Sequence, residues 1–146
     1  LGKIGILICY DVEFPLLGRA LAACNVICVP SVTETRAGYW RVRIGAMARA
    51  LENQCITAMA SCVGPADWSE ALGTSYGTGG IFGPPDTGLP EAGVIALGAM
   101  NAPGWPVGEV DLGITERLKR DGTVLNHADW VHQEGREGAV QTVRLH

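Results

Sequence analysis

The run Gly2-Lys3-Ile4-Gly5-Ile6-Leu7-Ile8 gives way abruptly to Cys9-Tyr10-Asp11, and Pro15 follows shortly after. Ile4, Ile6, Leu7 and Ile8 form a nearly continuous apolar stretch rich in β-branched side chains, the pattern of a strand buried on both faces inside a layered sheet. Pro15 suits the first turn of a helix, where a backbone N–H is not needed. Strand, sharp turn and helix therefore follow one another within fifteen residues. This order places the Cys9 thiol at a corner, at the carboxyl end of a strand and beside the amides that open a helix. Such a place suits attack on a carbonyl or nitrile carbon. The plainer reading is a cysteine serving as a small hydrophobe, since reactivity needs access and a lowered pKa.

At 146 residues with 47% hydrophobic content, the chain is the size of one globular domain with a sizeable core. Its net charge of -4, from 11 basic and 15 acidic residues without a Lys/Arg run, argues against nucleic acid or an anionic membrane as partner. Small neutral or polar substrates fit better. Five cysteines, an odd number without a close CxxC pair, point to a reducing compartment, with the cytoplasm as the expected location. No stretch reaches the length of a membrane span, and the given start carries neither a basic n-region followed by a long apolar core nor an initiator Met. The chain starts at Leu1 rather than Met, two residues before a core strand, and is expected to have lost a preceding segment.

Leu17, Leu21 and Cys24 recur at helical spacing and predict a largely buried helix over 16–24, followed by an apolar strand over 25–30. Strand, helix and strand make a parallel crossover unit, so the fold class is α/β. Residues 31–38 form a polar loop leaving the carboxyl end of that strand, where ligand-binding loops gather. Ser31 and Thr33 of this loop, with Trp40 just beyond it, are the candidate substrate contacts. A helix is predicted over 39–54 with Trp40, Ile44, Met47, Ala48 and Leu51 as its apolar stripe. Arg49 and Glu52, three apart on one face, are read as a structural pair.

Residues 55–64 form a further small-residue strand, and 65–77 a surface loop in which Trp68 is exposed or lid-like. The glycine-rich stretch 77–88 lacks phosphate-cradle spacing and reads as a strand ending in a turn. Two more strands are expected at 94–97 and 107–112, then a short helix over 113–120. Cys24 with Cys28, and His127 with Asp129 and His132, lack the spacing of a metal site, so no metal is expected. Residues 131–146, with alternating Val140, Thr142, Val143 and Leu145, read as a tail that docks on another subunit.

Cys9-Tyr10-Asp11-x-x-Phe14-Pro15 after Gly2-Lys3-Ile4-Gly5-x-x-Ile8 resembles the nucleophile turn of the nitrilase superfamily, the carbon-nitrogen hydrolases. The segment 47–54 resembles that family's Arg-x-Arg-Ala-x-Glu-Asn helix, with Met47 in place of the first Arg, and Pro84-Pro85-Asp86-Thr87-Gly88 resembles its Pro-Asp-Gly hairpin. The likeness extends through Trp130, so residues 1–130 correspond to the C-terminal part of the hydrolase domain. It implies half of a four-layer α-β-β-α sandwich, with Cys9 as nucleophile and the Tyr10 backbone amide as oxyanion donor. A Glu and a Lys upstream of the Cys complete the family's catalytic set, and neither is identifiable in this chain, so the fragment alone is expected to be inactive. The resemblance further implies no cofactor and a homo-oligomer.

Tyr10-Asp11 after the nucleophile looks like the amidase branches and implies hydrolysis of a small carboxamide, while Leu16 replaces the usual Glu after Phe-Pro. Three other readings stand beside it. One is a nitrile-cleaving member of the superfamily, and another is a non-catalytic remnant used for assembly or binding. The last is a small doubly wound redox or nucleotide-binding domain, opposed by the missing phosphate fingerprint.

Overall fold

A computed structural model describes residues 2–133, 135, 136 and 138. Of the expected docking tail over 131–146, residues 134, 137 and 139–146 lie outside the described residues. Three parallel strands, β1 (Ile4–Ile6), β2 (Val26–Ser31) and β3 (Ile56–Ser61), lie side by side and are continued antiparallel by β6 (Gly80–Phe82) and β7 (Val94–Leu97). The intervening β4 (Gly64–Pro65) and β5 (Thr74–Ser75) form a separate hairpin. Helices α1 (Pro15–Ala20) and α2 (Arg36–Asn53) make the crossovers, and α3 (Gly113–Asp121) and α4 (Asn126–Asp129) close the described fold. The expected α/β class, half of a layered sandwich, is present as one helix layer on one sheet layer.

The register places Gly5, Ile27, Thr57 and Phe82 on a single sheet face. Leu7, Ile27, Val29, Met59 and Phe82 pack there with Val12, Tyr39, Val42 and Ala46 into one core. The other face carries Ile4 and Ile6, which are 67% and 61% exposed. The opening strand is thus buried on one face only, because α1 and α2 lie on a single side. The second face is bare over β1, and toward β6 and β7 the segment around Pro106 and Gly108 lies across it.

Three further expectations change. Helix α1 ends at Ala20 and leaves Leu16 and Leu17 exposed, with only Gly18 buried, so it is not the buried helix that the leucine spacing predicts. Helix α2 begins earlier, at Arg36, because the Thr35 side chain caps it by accepting from the Gly38 amide at 3.0 Å. Its buried residues are Tyr39, Val42, Gly45, Ala46, Arg49, Ala50 and Asn53, while Trp40, Ile44 and Leu51 of the predicted stripe point outward. Small residues face the sheet because the approach is close: a Cβ added at Gly45 would stand 2.9 Å from the Val12 carbonyl oxygen. Residues 107–112 form no strand. Pro106 interrupts their entry, Val107 is exposed, and Gly108 lies against Ile81, Ile95 and Ala96 instead of extending the ladder.

Two buried amides hold the C-terminal helices. Asn25 donates to Thr115 Oγ1 at 2.8 Å and to Glu116 Oε1 at 2.7 Å, and its own oxygen accepts from the Lys3 amide. Gln54, the left-handed C-cap of α2, donates to the Leu118 and Val124 carbonyls and accepts from the His127 amide. Arg49 does the corresponding work between α2 and the first turn. Only 4% exposed, it makes a two-pronged pair with Glu52, both contacts at 2.9 Å, and donates its remaining Nη1 to the Val12 carbonyl at 2.9 Å. The pairing expected from the sequence is present, with an added bond to the turn.

Arg49→Met keeps the aliphatic stem but leaves the Val12 carbonyl without its donor. It is expected to lower the unfolding free energy by about 1–3 kcal/mol, read from a urea titration.

Acid should destabilise the fold in two stages. Burial, then the nearby Lys119 and Arg19 charges, push the His127 pKa below its ordinary 6.5. Burial pushes Asp86 up, but bonds from the Thr123 side chain and the Thr87, Thr123 and Val124 amides outweigh it and hold the carboxyl below 3.8. For both groups the unfolded chain binds the proton more readily, so their stabilisation is complete above the unfolded value and disappears as pH falls through the folded one. Stability should therefore decline below about pH 6.5 and again below about pH 4. His127→Gln is expected to remove the first decline in a melting series across pH.

Candidate active site

Beyond β1 the chain stays extended through Ile8 and then reverses at Cys9, whose φ of 49° lies in the left-handed region. A non-glycine residue held there costs on the order of 1 kcal/mol, and surrounding contacts must maintain it. A 3-10 turn, Cys9–Glu13, begins at the same residue. Its contacts are well defined: the Asp11 amide donates to the Ile8 carbonyl at 3.0 Å, and the Asp11 carboxylate accepts from the Ile8 amide at 3.1 Å. Val12 is fully buried in the core, and its carbonyl is the one that Arg49 holds. As the first two residues of the turn, Cys9 and Tyr10 have no preceding turn to accept from their amides.

Cys9 stands between two clefts. One, of about 390 Å³, opens on the helix side and is lined by Tyr10, Glu13, Thr33, Glu34, Arg41 and Leu72 among others. The second, of about 500 Å³, opens toward the bare sheet face and is mainly apolar, with Ile8, Pro30, Ser31, Val32, Ala60 and Cys62 in its wall. The half-buried Cys9 thiol donates to the Val32 carbonyl at 3.4 Å, a bond that joins the end of β1 to the loop after β2.

Tyr10 borders the helix-side cleft, with its ring edge-on to Phe14 at 4.8 Å. Thr33 borders the same cleft, but its hydroxyl donates to the Tyr76 carbonyl at 2.7 Å while the Tyr76 amide returns a bond to the Thr33 carbonyl. Ser31 is buried in the apolar cleft and shares a 3.1 Å contact with the Ser61 hydroxyl. Trp40 borders neither cleft. It lies on the outward side of α2 with the Arg43 guanidinium 5.0 Å from its ring.

Several cleft residues escaped the sequence reading. Glu13 and Arg41 pair at 3.4 Å, from the first turn and from α2. Cys62 follows β3 just as Cys9 follows β1. The gathering of parallel strand ends was the available signal for it. Leu72 reaches the cleft from the β4–β5 hairpin, and no periodicity marks it. Among the described residues no group of three or more potential metal ligands gathers anywhere.

The sequence model of the family described as carbon-nitrogen hydrolase matches residues 1–86, more than half of the chain. The chain belongs to the carbon-nitrogen hydrolase family. Among curated relatives, the probable hydrolase YhcX of Bacillus subtilis is 41% identical over 130 residues, covering 88% of this chain and 25% of its own. The curated relatives that align over 130 residues are longer, and the chain spans 25% to 36% of their length. The C. elegans NitFhit crystal structure superposes with a TM-score of 0.68 at 24% identity, covering 91% of this chain and 29% of that one. A mutant amidase from Nesterenkonia sp. AN1 superposes with a TM-score of 0.57 at 25% identity, covering 87% of this chain and 44% of that one. That structure shows covalent addition of the acetamide moiety of fluoroacetamide at its active-site cysteine.

The thiols differ in burial, with Cys28 half-buried like Cys9. Burial pushes the Cys55 pKa up to about 12 against the opposing Lys119 charge, and Cys24 is also buried, whereas Cys62 is exposed. Because the thiolate is the species that alkylates, Cys55 in the native state at pH 8 should label at least about a hundredfold more slowly than Cys62. Peptide-resolved mass spectrometry after timed iodoacetamide treatment measures this, and equal rates would contradict the packing described.

Proposed function

We propose that this chain is the cysteine-bearing part of a hydrolase that cleaves the carbon-nitrogen bond of a small carboxamide through a thioester on Cys9. The observation that carries the reading is the left-handed turn that lifts Cys9 off the end of β1 to the junction of two clefts. The Cys9 thiolate attacks the amide carbon, and the C=O π pair moves to oxygen. The Tyr10 backbone N–H then faces the developing oxyanion. Collapse of the tetrahedral species breaks the C–N bond, and the departing nitrogen takes a proton as ammonia or an amine. Water adds to the thioester and releases the acid and the free thiol. The proton transfers fall to the Glu and Lys implied by the family resemblance, which this sequence does not contain. No metal or organic cofactor enters the scheme.

Ser31, Thr33 and Trp40 have unequal claims as substrate contacts in this proposal. Ser31 and Thr33 shape the two clefts from the carboxyl end of β2, each with its hydroxyl engaged by the protein. Trp40 fits a different role. With Ile44 and Leu51 it makes an apolar outer face on α2 that suits a second copy in a homo-oligomer. The open sheet face suits the remaining layers of the sandwich. The formal charge of -4 and the cleft chemistry favour a small-molecule amide over nucleic acid or a membrane surface. Among the described residues no helix is long and apolar enough to cross a membrane. Five free cysteines favour the cytoplasm as the place of action.

In the complete hydrolase, Cys9→Ala is expected to reduce hydrolysis of short aliphatic amides by about 10⁴-fold or more with an unchanged melting temperature. The 146-residue chain alone should show no turnover. Ammonia release measures both, and substantial activity in either sample would sink the proposal. A quenched reaction should carry the acyl mass on the Cys9 peptide.

A further inference from the structure

The structure assigns Asp11 a role separate from folding: we infer that it is a positioning residue whose carboxylate holds the Cys9 turn open. The inference rests on Cys9 being the nucleophile proposed above. Strand alternation places Leu7 on the helix side and Ile8 on the open side, so a continued strand would turn Cys9 back toward the helices, against Val12 and Val42. The left-handed conformation at Cys9 instead leaves the thiol half-buried at the edge of that core, where it donates to the Val32 carbonyl and stands at the junction of the clefts.

Asp11 is the residue that spans this reversal. Its amide donates to the Ile8 carbonyl at 3.0 Å, its carboxylate accepts from the Ile8 amide at 3.1 Å, and its carbonyl accepts from the Phe14 amide at 3.2 Å. The first two bonds enclose Cys9 and Tyr10 in a closed loop of backbone. Only the second depends on the side chain. The carboxylate is directed at main chain, and Asp11 borders neither cleft, so it acts through Cys9 and does not touch substrate. Its carboxylate bond is exposed, in contrast with the buried Arg49 bond to Val12. Asp11 and Arg49 therefore divide the work: Arg49 fastens the turn to α2, and Asp11 sets the conformation of the residue that reacts.

The test is the iodoacetamide labelling rate of Cys9, read by peptide mass spectrometry with Cys62 as internal reference, in Asp11→Ala and Asp11→Asn. Asparagine keeps an oxygen that accepts from the Ile8 amide but carries no charge. Asp11→Ala is expected to slow Cys9 at least about tenfold relative to Cys62, as the turn relaxes and the thiol turns inward, with circular dichroism and melting temperature unchanged. Asp11→Asn should stay within about threefold of the parent, since the acceptor survives. An unchanged Cys9 rate in Asp11→Ala overturns the inference. Equal slowing in both variants also overturns it, because charge rather than the bond would then be responsible.

If Asp11→Ala does not fold, Asp11→Ser carries the same test, because its shorter side chain falls short of the Ile8 amide. Slowing supports positioning, and a parental rate refutes it. Should labelling follow these expectations while the complete protein hydrolyses no amide, the proposed function fails and the role of Asp11 stands.

Discussion

The bond from Arg49 to the Val12 carbonyl organises this fold. It is the point at which the longest helix holds the turn that begins at the left-handed Cys9. A buried guanidinium needs its charge compensated and its donors filled, and Glu52 answers with two parallel bonds from one turn further along the same helix. The remaining donor points out of α2 at a fixed height, and the Cys9–Glu13 turn must approach closely enough to offer a carbonyl. Gly45 permits that approach. Gly18 permits α1 to lie over the aliphatic stem of Arg49, its closest contact being Arg49 Cδ. The height of the Cys9 turn against α2 is thus set by Arg49, Glu52 and Gly45, which are distant from it in sequence and border neither cleft.

This constraint explains why the sequence misleads about α2. Reading the largest apolar side chains as core selects Trp40, Ile44 and Leu51, but a helix that touches a backbone turn must present small residues there. The inner face is accordingly built from Gly45, Ala46 and Ala50 with Val42, Tyr39 and Arg49. The large residues are left for the outer surface. A similar trade acts on β1. Isoleucines on one side of a strand and Leu7 on the other predict two covered faces, and the described chain supplies a cover for only one face of β1.

What was legible followed from local grammar. The apolar run, the abrupt polar turn and Pro15 place a corner at Cys9, and the parallel β1-β2-β3 order follows from the crossover spacing. The Arg49–Glu52 pair was readable because helical spacing alone puts the two side chains together. The arrivals from distant segments were not legible. Leu72 borders the cleft because the Thr33 and Tyr76 backbones bond to each other, and Arg41 because α2 starts at Arg36 under a Thr35 cap. The failed strand at 107–112 belongs with these. A strand needs a free ladder partner, and this segment lies across the Ile81, Ile95 and Ala96 side chains instead.

The two clefts differ in a way that bears on chemistry. The helix-side cleft carries Glu13, Glu34 and Arg41, whereas the cleft toward the bare sheet is walled by Ile8, Pro30, Val32 and Ala60. A thiol at their junction meets charge on one side and hydrocarbon on the other. An apolar acyl chain gains by burial only on the sheet side, and a polar departing group is better solvated among the charged residues. Cys9 is the boundary between them, so under the proposed function the turn that carries the thiol also sets the direction along which the substrate lies.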